Sequence, residues 1–231
     1  MALWRFGRGW SEPTLRSYIE ELRGRKVNFS AAPEEMTEEQ GWFVDGTDAV
    51  IGREPPGPPA ERGLFARAKQ AIVNYDFSDP AIVVGHFDPK APLVGRDMLL
   101  EIRVLGFRFL SGVRVYSVRD ECGADTTIFG FRYDTLEGHI ERGFEWFLLT
   151  KRHDTGEIRF RIEARWGLGQ LPNWWSKVGF RVVGNLCREL WRRRAVRRMR
   201  TLAHRPATKR VAAPGQLAHR GDREPQRTKA S

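Results

Sequence analysis

The stretch Phe129-Gly-Phe-Arg-Tyr-Asp-Thr-Leu-Glu-Gly-His-Ile-Glu-Arg-Gly-Phe-Glu-Trp-Phe147 sets one histidine, four acidic side chains and three glycines into what is otherwise β-strand sequence. If it runs as a straight strand from Leu136 to Leu148, then Leu136, Ile140, Phe144, Trp146 and Leu148 share one face, and Glu137, His139, Glu141 and Glu145 share the other. This parity predicts His139 on the wetter side among carboxylates. Such a neighbour raises a histidine pKa and orients the ring, which suits acid/base work near neutral pH. The alternative is a solvated face whose charges pair with the arginines of 157 to 165. Gly130, Gly138 and Gly143 are marks of bulges or close approach, and a bulge at Gly138 would reverse the parity and turn His139 inward.

Working outward, the two-residue period continues on both sides. Met98, Leu100, Ile102 and Val104 alternate with Leu99, Glu101 and Arg103, while Ile158, Phe160, Ile162, Ala164 and Trp166 alternate with charged residues. Further strands are expected near 81 to 87, 110 to 119, 125 to 133 and 136 to 150, giving an antiparallel meander with one buried and one wet face. Ser11 with Pro13 opens a short amphipathic helix closed by Gly24. Residues 31 to 41 and Pro55-Pro-Gly-Pro-Pro59 read as loop around one short strand, Trp42 to Ile51. A second helix, about 61 to 73, puts Leu64, Phe65, Ala68 and Ile72 on one face, and Pro172 opens a long last helix with a stripe of Trp175, Val178, Val182, Leu186 and Leu190. Beyond Leu190 arginines occupy every direction, so the helix is expected to project past the body.

The sum is α+β: an antiparallel curved sheet wrapped around a long C-terminal helix. The expected division is 1–60, an N-terminal helix and Pro-rich connector packed on the domain; 61–200, the domain itself; and 201–231, a basic disordered tail.

Composition supports a core, at 41% hydrophobic and 11% aromatic over 231 residues. The net charge of +10 is confined: residues 188 to 231 carry +11, and residues 1 to 187 sum to −1. The body therefore has no general affinity for polyanions. Arg192, Arg193, Arg194, Arg197 and Arg198 are the candidates for weak electrostatic contact with anionic lipid or nucleic acid. Cys122 and Cys187 lie far apart, which suits a reducing compartment, and no segment has signal-peptide or membrane-span character, so a cytoplasmic location without a transmembrane segment is expected.

Catalytic motifs are absent. Glu137, His139 and Glu141 project the same way but stand roughly 6.6 to 7 Å apart in succession, too far to converge on one ion, so no metal is expected. There is no Gly-x-Ser-x-Gly, and Gly167-Leu-Gly169 is not a dinucleotide fingerprint, so no cofactor is expected either.

Residues 63 to about 195 resemble an uncharacterised family, domain of unknown function number nineteen-ninety, with bacterial and plant members. The resemblance rests on Gly63-Leu-Phe-Ala-Arg-Ala68, Gly112-Val-Arg-Val115, Phe129-Gly-Phe131, Thr135-Leu-Glu-Gly-His139 and Gly143-Phe-Glu145; Asn74-Tyr75 stands where many members carry a Trp. The element order is similar to the helix-grip fold of START and Bet v 1-like proteins, which implies an apolar ligand in the gap between sheet and helix.

A ligand site is accordingly expected from Phe131, Tyr133, His139, Phe144, Trp146, Phe160, Trp166 and Trp175, holding a small apolar or amphipathic molecule or lipid. His139 with Glu141 or Asp134 forms the catalytic alternative, an enzyme of hydrolase, cyclase or dehydratase type in the same cavity. A core filled by aromatics, with no void, is the other alternative.

Overall fold

The structure is a computed structural model that describes residues 3–169 and 174–204; for 174–183 and 185 it describes backbone alone. Eight strands form one antiparallel sheet: β1 (Leu3–Phe6), β2 (Phe43–Arg53), β3 (Val83–His86), β4 (Asp97–Val104), β5 (Phe107–Cys122), β6 (Thr126–Thr135), β7 (Glu141–Arg152) and β8 (Glu157–Leu168). Their order is β2-β8-β7-β6-β5-β4-β3, with β1 added alongside β5. Among the described residues three α-helices accompany the sheet, α1 (Glu12–Leu22), α2 (Leu64–Val73) and α3 (Trp174–His204), with a short 3-10 helix at Pro33–Glu35. This is the helix-grip arrangement expected from the element order, a curved sheet with a long last helix across its concave face.

Local chemistry explains the boundaries. Ser11 Oγ caps α1 by accepting from the Thr14 amide. The start of α2 is capped from a distance: Glu54 accepts from the Phe65 amide at 2.8 Å and from Ala60 at 3.3 Å, and Lys151 Nζ lies 2.8 Å from the same carboxylate. A Cβ on Gly63 would sit 2.0 Å from Glu54 Oε1, so only glycine lets this carboxylate approach the helix.

The concave face and the helices bury one core, built on Phe65, Ile72, Phe77, Phe147, Phe160, Trp191 and Met199. The expectation of a wet opposite face is corrected in two places. Under α1, Leu15 and Leu22 pack on Leu99, Leu110 and Leu136. Under the 29 to 42 segment, Met36 and Trp42 pack on Phe144, with Trp146 half-buried against them.

The long helix also differs from its sequence pattern. Its buried stripe is Trp191, Ala195, Val196, Met199 and Ala203, whereas Leu186 is 72% and Leu190 42% exposed. The arginine-rich end therefore lies on the body instead of projecting. Arg192 is buried against Asp45, Arg194 pairs with Asp79 at 3.0 Å, and Arg198 donates to the Asp76 carbonyl. Of the five arginines expected at an anionic surface, Arg193 and Arg197 are exposed, and Arg193 pairs with Glu189. Opposite charges on β2 and on the segment after α2 draw the helix down, where a count of its own residues shows only excess positive charge. The side chains of Trp175, Val178 and Val182, and the tail beyond residue 204, lie outside the described residues.

Candidate functional site

The decisive stretch is a hairpin, not one straight strand. Its turn runs from Leu136 to Ile140 with Gly138 at φ +88°, and Gly143 follows at φ +140°. Thr135 Oγ1 accepts from the Gly143 amide at 2.9 Å and donates to Asn28 Oδ1 at 2.6 Å, while Asn28 Nδ2 donates to the Glu141 carbonyl at 2.9 Å. A Cβ on Gly143 would stand 2.0 Å from the Arg165 carbonyl oxygen of β8, so the close approach of the two strands demands glycine there.

The turn resets the parity. Odd positions of β7 face the concave side, so Glu145 and Phe147 point inward with Tyr133 and Phe131, and Phe144 and Trp146 belong to the opposite face. His139 is buried, with Nδ1 accepting from the Glu141 amide at 3.0 Å, which leaves the proton of the neutral ring on Nε2. The expected upward pKa shift is reversed: burial, seconded by the positive Arg188, lowers His139 to about 4. It is neutral at pH 7.

Between this part of the sheet and α3 lies a cavity of about 140 Å³. One part of its wall is apolar, from Ile82, Leu100, Ile102, Val104 and Trp191; another is polar, from Tyr75, Tyr133, His139, Glu141, Glu145 and Arg188. Tyr133 donates its hydroxyl proton to Glu145 Oε2, and Tyr75 makes a hydrogen bond to Tyr133. Burial raises both phenols well above their usual range and pushes Glu145 up to about 7. Glu141 is also raised by desolvation, although Arg188 pairs with it. The Arg188 guanidinium stacks 3.8 Å over Trp166, which in turn stacks on Phe43 and donates to Asp45.

Of the expected site residues, Tyr133, His139, Glu141 and Trp166 line the cavity; Phe144 borders it, but its side chain packs with Met36 and Trp42 on the opposite face. Phe131 and Phe160 are core residues behind it, Trp146 lies on the opposite face, and the Trp175 side chain is outside the described residues. Asp134 also points away, held bidentately by Arg132 at 2.8 and 3.0 Å. Sequence reasoning missed Glu145, Tyr75 and Arg188 as cavity groups. Glu145 shares its strand face with Phe147 and Leu149, but the apolar Phe144, Trp146 and Leu148 on the other face mask that parity in the sequence; Tyr75, with φ +58°, reaches the cavity through a turn that no periodicity marks.

Among the described residues no cluster of His, Cys, Asp or Glu is arranged to hold a metal ion, and no helix is long and apolar enough to cross a membrane.

One family model matches, "Domain of unknown function (DUF1990)", over residues 29–200. No curated protein matches the chain. Similar solved structures include a hypothetical protein from Helicobacter pylori, 12% identical with a TM-score of 0.42, covering 74% of this chain and 96% of that one. Ara h 8.0201 is 11% identical with a TM-score of 0.41, covering 71% of this chain and 98% of its own. A major latex-like protein from Panax ginseng is 11% identical with a TM-score of 0.35, covering 64% and 96%.

Proposed function

The chain belongs to the family of the domain of unknown function DUF1990, and from that premise we propose that it is a binding protein for a small amphipathic molecule, held between the sheet and α3. The observation that carries this reading is the two-sided cavity: an apolar wall faces a polar group of Tyr133, Glu145, His139 and Arg188. That is the usual make-up of a ligand pocket, where apolar surface supplies affinity and a few polar groups fix orientation. Its volume of about 140 Å³ matches a single aromatic ring, since an engineered apolar cavity of about 150 Å³ accepts benzene. A neutral His139 donating from Nε2 and a Glu145 poised between acid and carboxylate suit a ligand carrying a hydroxyl or carbonyl.

Native mass spectrometry of the protein as purified from cells tests the reading. A small organic species that co-purifies with the wild type and is missing from Ala164→Trp, which fills the cavity, supports it. Identical ligand-free spectra, together with no stabilisation by any small amphipathic compound, refute it.

Catalysis in the same cavity is the second reading, and Glu145 is the observation in its favour. A carboxyl at about 7 within a hydrogen-bonded chain of phenols is suited to take up and return a proton at neutral pH. Conversion of the co-purifying species by the wild type, lost in Glu145→Gln while binding persists, would distinguish an enzyme from a carrier.

A further inference from the structure

The hydrogen bonds around the cavity leave two polar atoms open. Tyr133, itself hydrogen-bonded to Tyr75, donates to Glu145 Oε2, and no donor among the described residues reaches Oε1 of the same carboxylate. His139 engages the Glu141 amide through Nδ1, so the proton sits on Nε2, and no acceptor among the described residues meets it. Neither atom is sealed into the packing as Ser111 Oγ and Arg192 Nε are, and both residues line the cavity. The space therefore offers one open carboxylate oxygen and one open N–H.

A cavity of about 140 Å³ holds one ring, so a molecule that fills it meets both atoms. A base and a hydrogen-bond donor on one small molecule are what removal of a proton beside a carbonyl needs. The carboxylate takes the proton from carbon, and the donor holds the charge that develops on the carbonyl oxygen. A neutral imidazole suits that second role, and burial keeps His139 neutral at pH 7. The negative charge passes from Glu145 to the bound molecule inside the same walls, where Arg188 lines the cavity and Arg192 lies close enough to act on Glu145. No additional charge has to be buried along the way.

The strength of the base selects the substrate. A carboxylate is a weak base toward carbon, so the C–H bond has to be activated twice, by the carbonyl and by a neighbouring double bond. We propose that the cavity isomerises small β,γ-unsaturated cyclic ketones through an enolate, with Glu145 as the base and His139 Nε2–H on the carbonyl oxygen. Glu145 Oε1 takes the proton from the carbon between the carbonyl and the double bond; the C–H electron pair forms a new C=C bond, and the carbonyl becomes the enolate oxygen. The same proton then returns to the far carbon of the former double bond, the carbonyl re-forms, and the product is the conjugated α,β-unsaturated isomer. The carboxylate is regenerated, nothing is oxidised or reduced, and no second reactant has to enter. This rests on the catalytic reading of the cavity and gives it a reaction and a substrate class.

Cyclohex-3-enone is the probe, with the ultraviolet absorbance of cyclohex-2-enone as the readout and calorimetric binding of cyclohexanone measured alongside. The wild type should convert the probe faster than buffer does, and phenol, a planar ring bearing an enol oxygen, should compete. Glu145→Gln should still bind cyclohexanone but lose about 100-fold or more of the rate. Glu145→Asp, which keeps the carboxyl but draws it back, should retain part of the rate, and His139→Phe should lose on the order of 100-fold. Binding of cyclohexanone without conversion of the probe overturns the proposal and leaves the binding reading standing. So does a rate that is unchanged in Glu145→Gln or untouched by phenol. Binding of neither cyclohexanone nor phenol by the wild type overturns both.

Discussion

Two buried groups in the cavity titrate in opposition. Glu145 is raised to about 7 from its ordinary 4.5, so the folded state binds the extra proton and this group's contribution to stability falls as pH rises from 4.5 to 7. His139 is lowered to about 4 from 6.5, so the unfolded chain binds the proton and its contribution falls as pH drops from 6.5 to 4. The two slopes oppose each other over the shared range, and each is worth on the order of 3 kcal/mol. In a series of melts from pH 7 to 4.5, Glu145→Gln should lose Tm as the pH falls, and His139→Gln should gain it. Parallel curves for the two variants would show that at least one group is not desolvated as described. Gly143→Ala should be destabilised by about 3 kcal/mol or more in urea unfolding, because its Cβ meets the β8 backbone at 2.0 Å and its φ is +140°. A loss under about 1 kcal/mol would mean that the strands separate freely.

Elements were legible in the sequence to the degree that one side of each was wet. β8 alternates apolar and charged residues, and Ile158, Phe160, Ile162, Ala164 and Trp166 all face inward as its pattern says. β7 carries apolar residues on both faces, because the Met36 and Trp42 segment covers the far side, so its parity could not be read from alternation alone. The glycines gave the one usable warning: Gly138 and Gly143 do take φ values that other residues avoid. α3 failed for a different reason. Its arginines looked like a solvated end, but their partners Asp45 and Asp79 come from elsewhere in the chain. Substitutions along this helix separate the two patterns. Met199→Ala, at a fully buried position, should cost about 2–5 kcal/mol, while Leu186→Ala should stay within about 0.5 kcal/mol. Comparable losses at both positions, measured by chemical denaturation, would restore the stripe that the sequence suggests.

At the scale of the molecule, the fold brings together groups that are remote in sequence. Tyr75 follows α2, Tyr133 and Glu145 come from neighbouring strands, and Arg188 comes from α3, yet all line one cavity. A simple apolar core would have put Leu or Phe at Glu145, since a buried carboxyl is costly without a use or a partner. The central claim is that this space binds a molecule with an apolar body and a polar end. Calorimetric titration with phenol and toluene, both about the size of the cavity, tests it most directly, with wild type, Glu145→Leu and Ala164→Trp compared. The account predicts that wild type binds phenol, that Glu145→Leu shifts the ratio of the two affinities toward toluene by about tenfold or more, and that Ala164→Trp binds neither while remaining folded. Binding of neither compound by the wild type, or an unchanged ratio in Glu145→Leu, would contradict it.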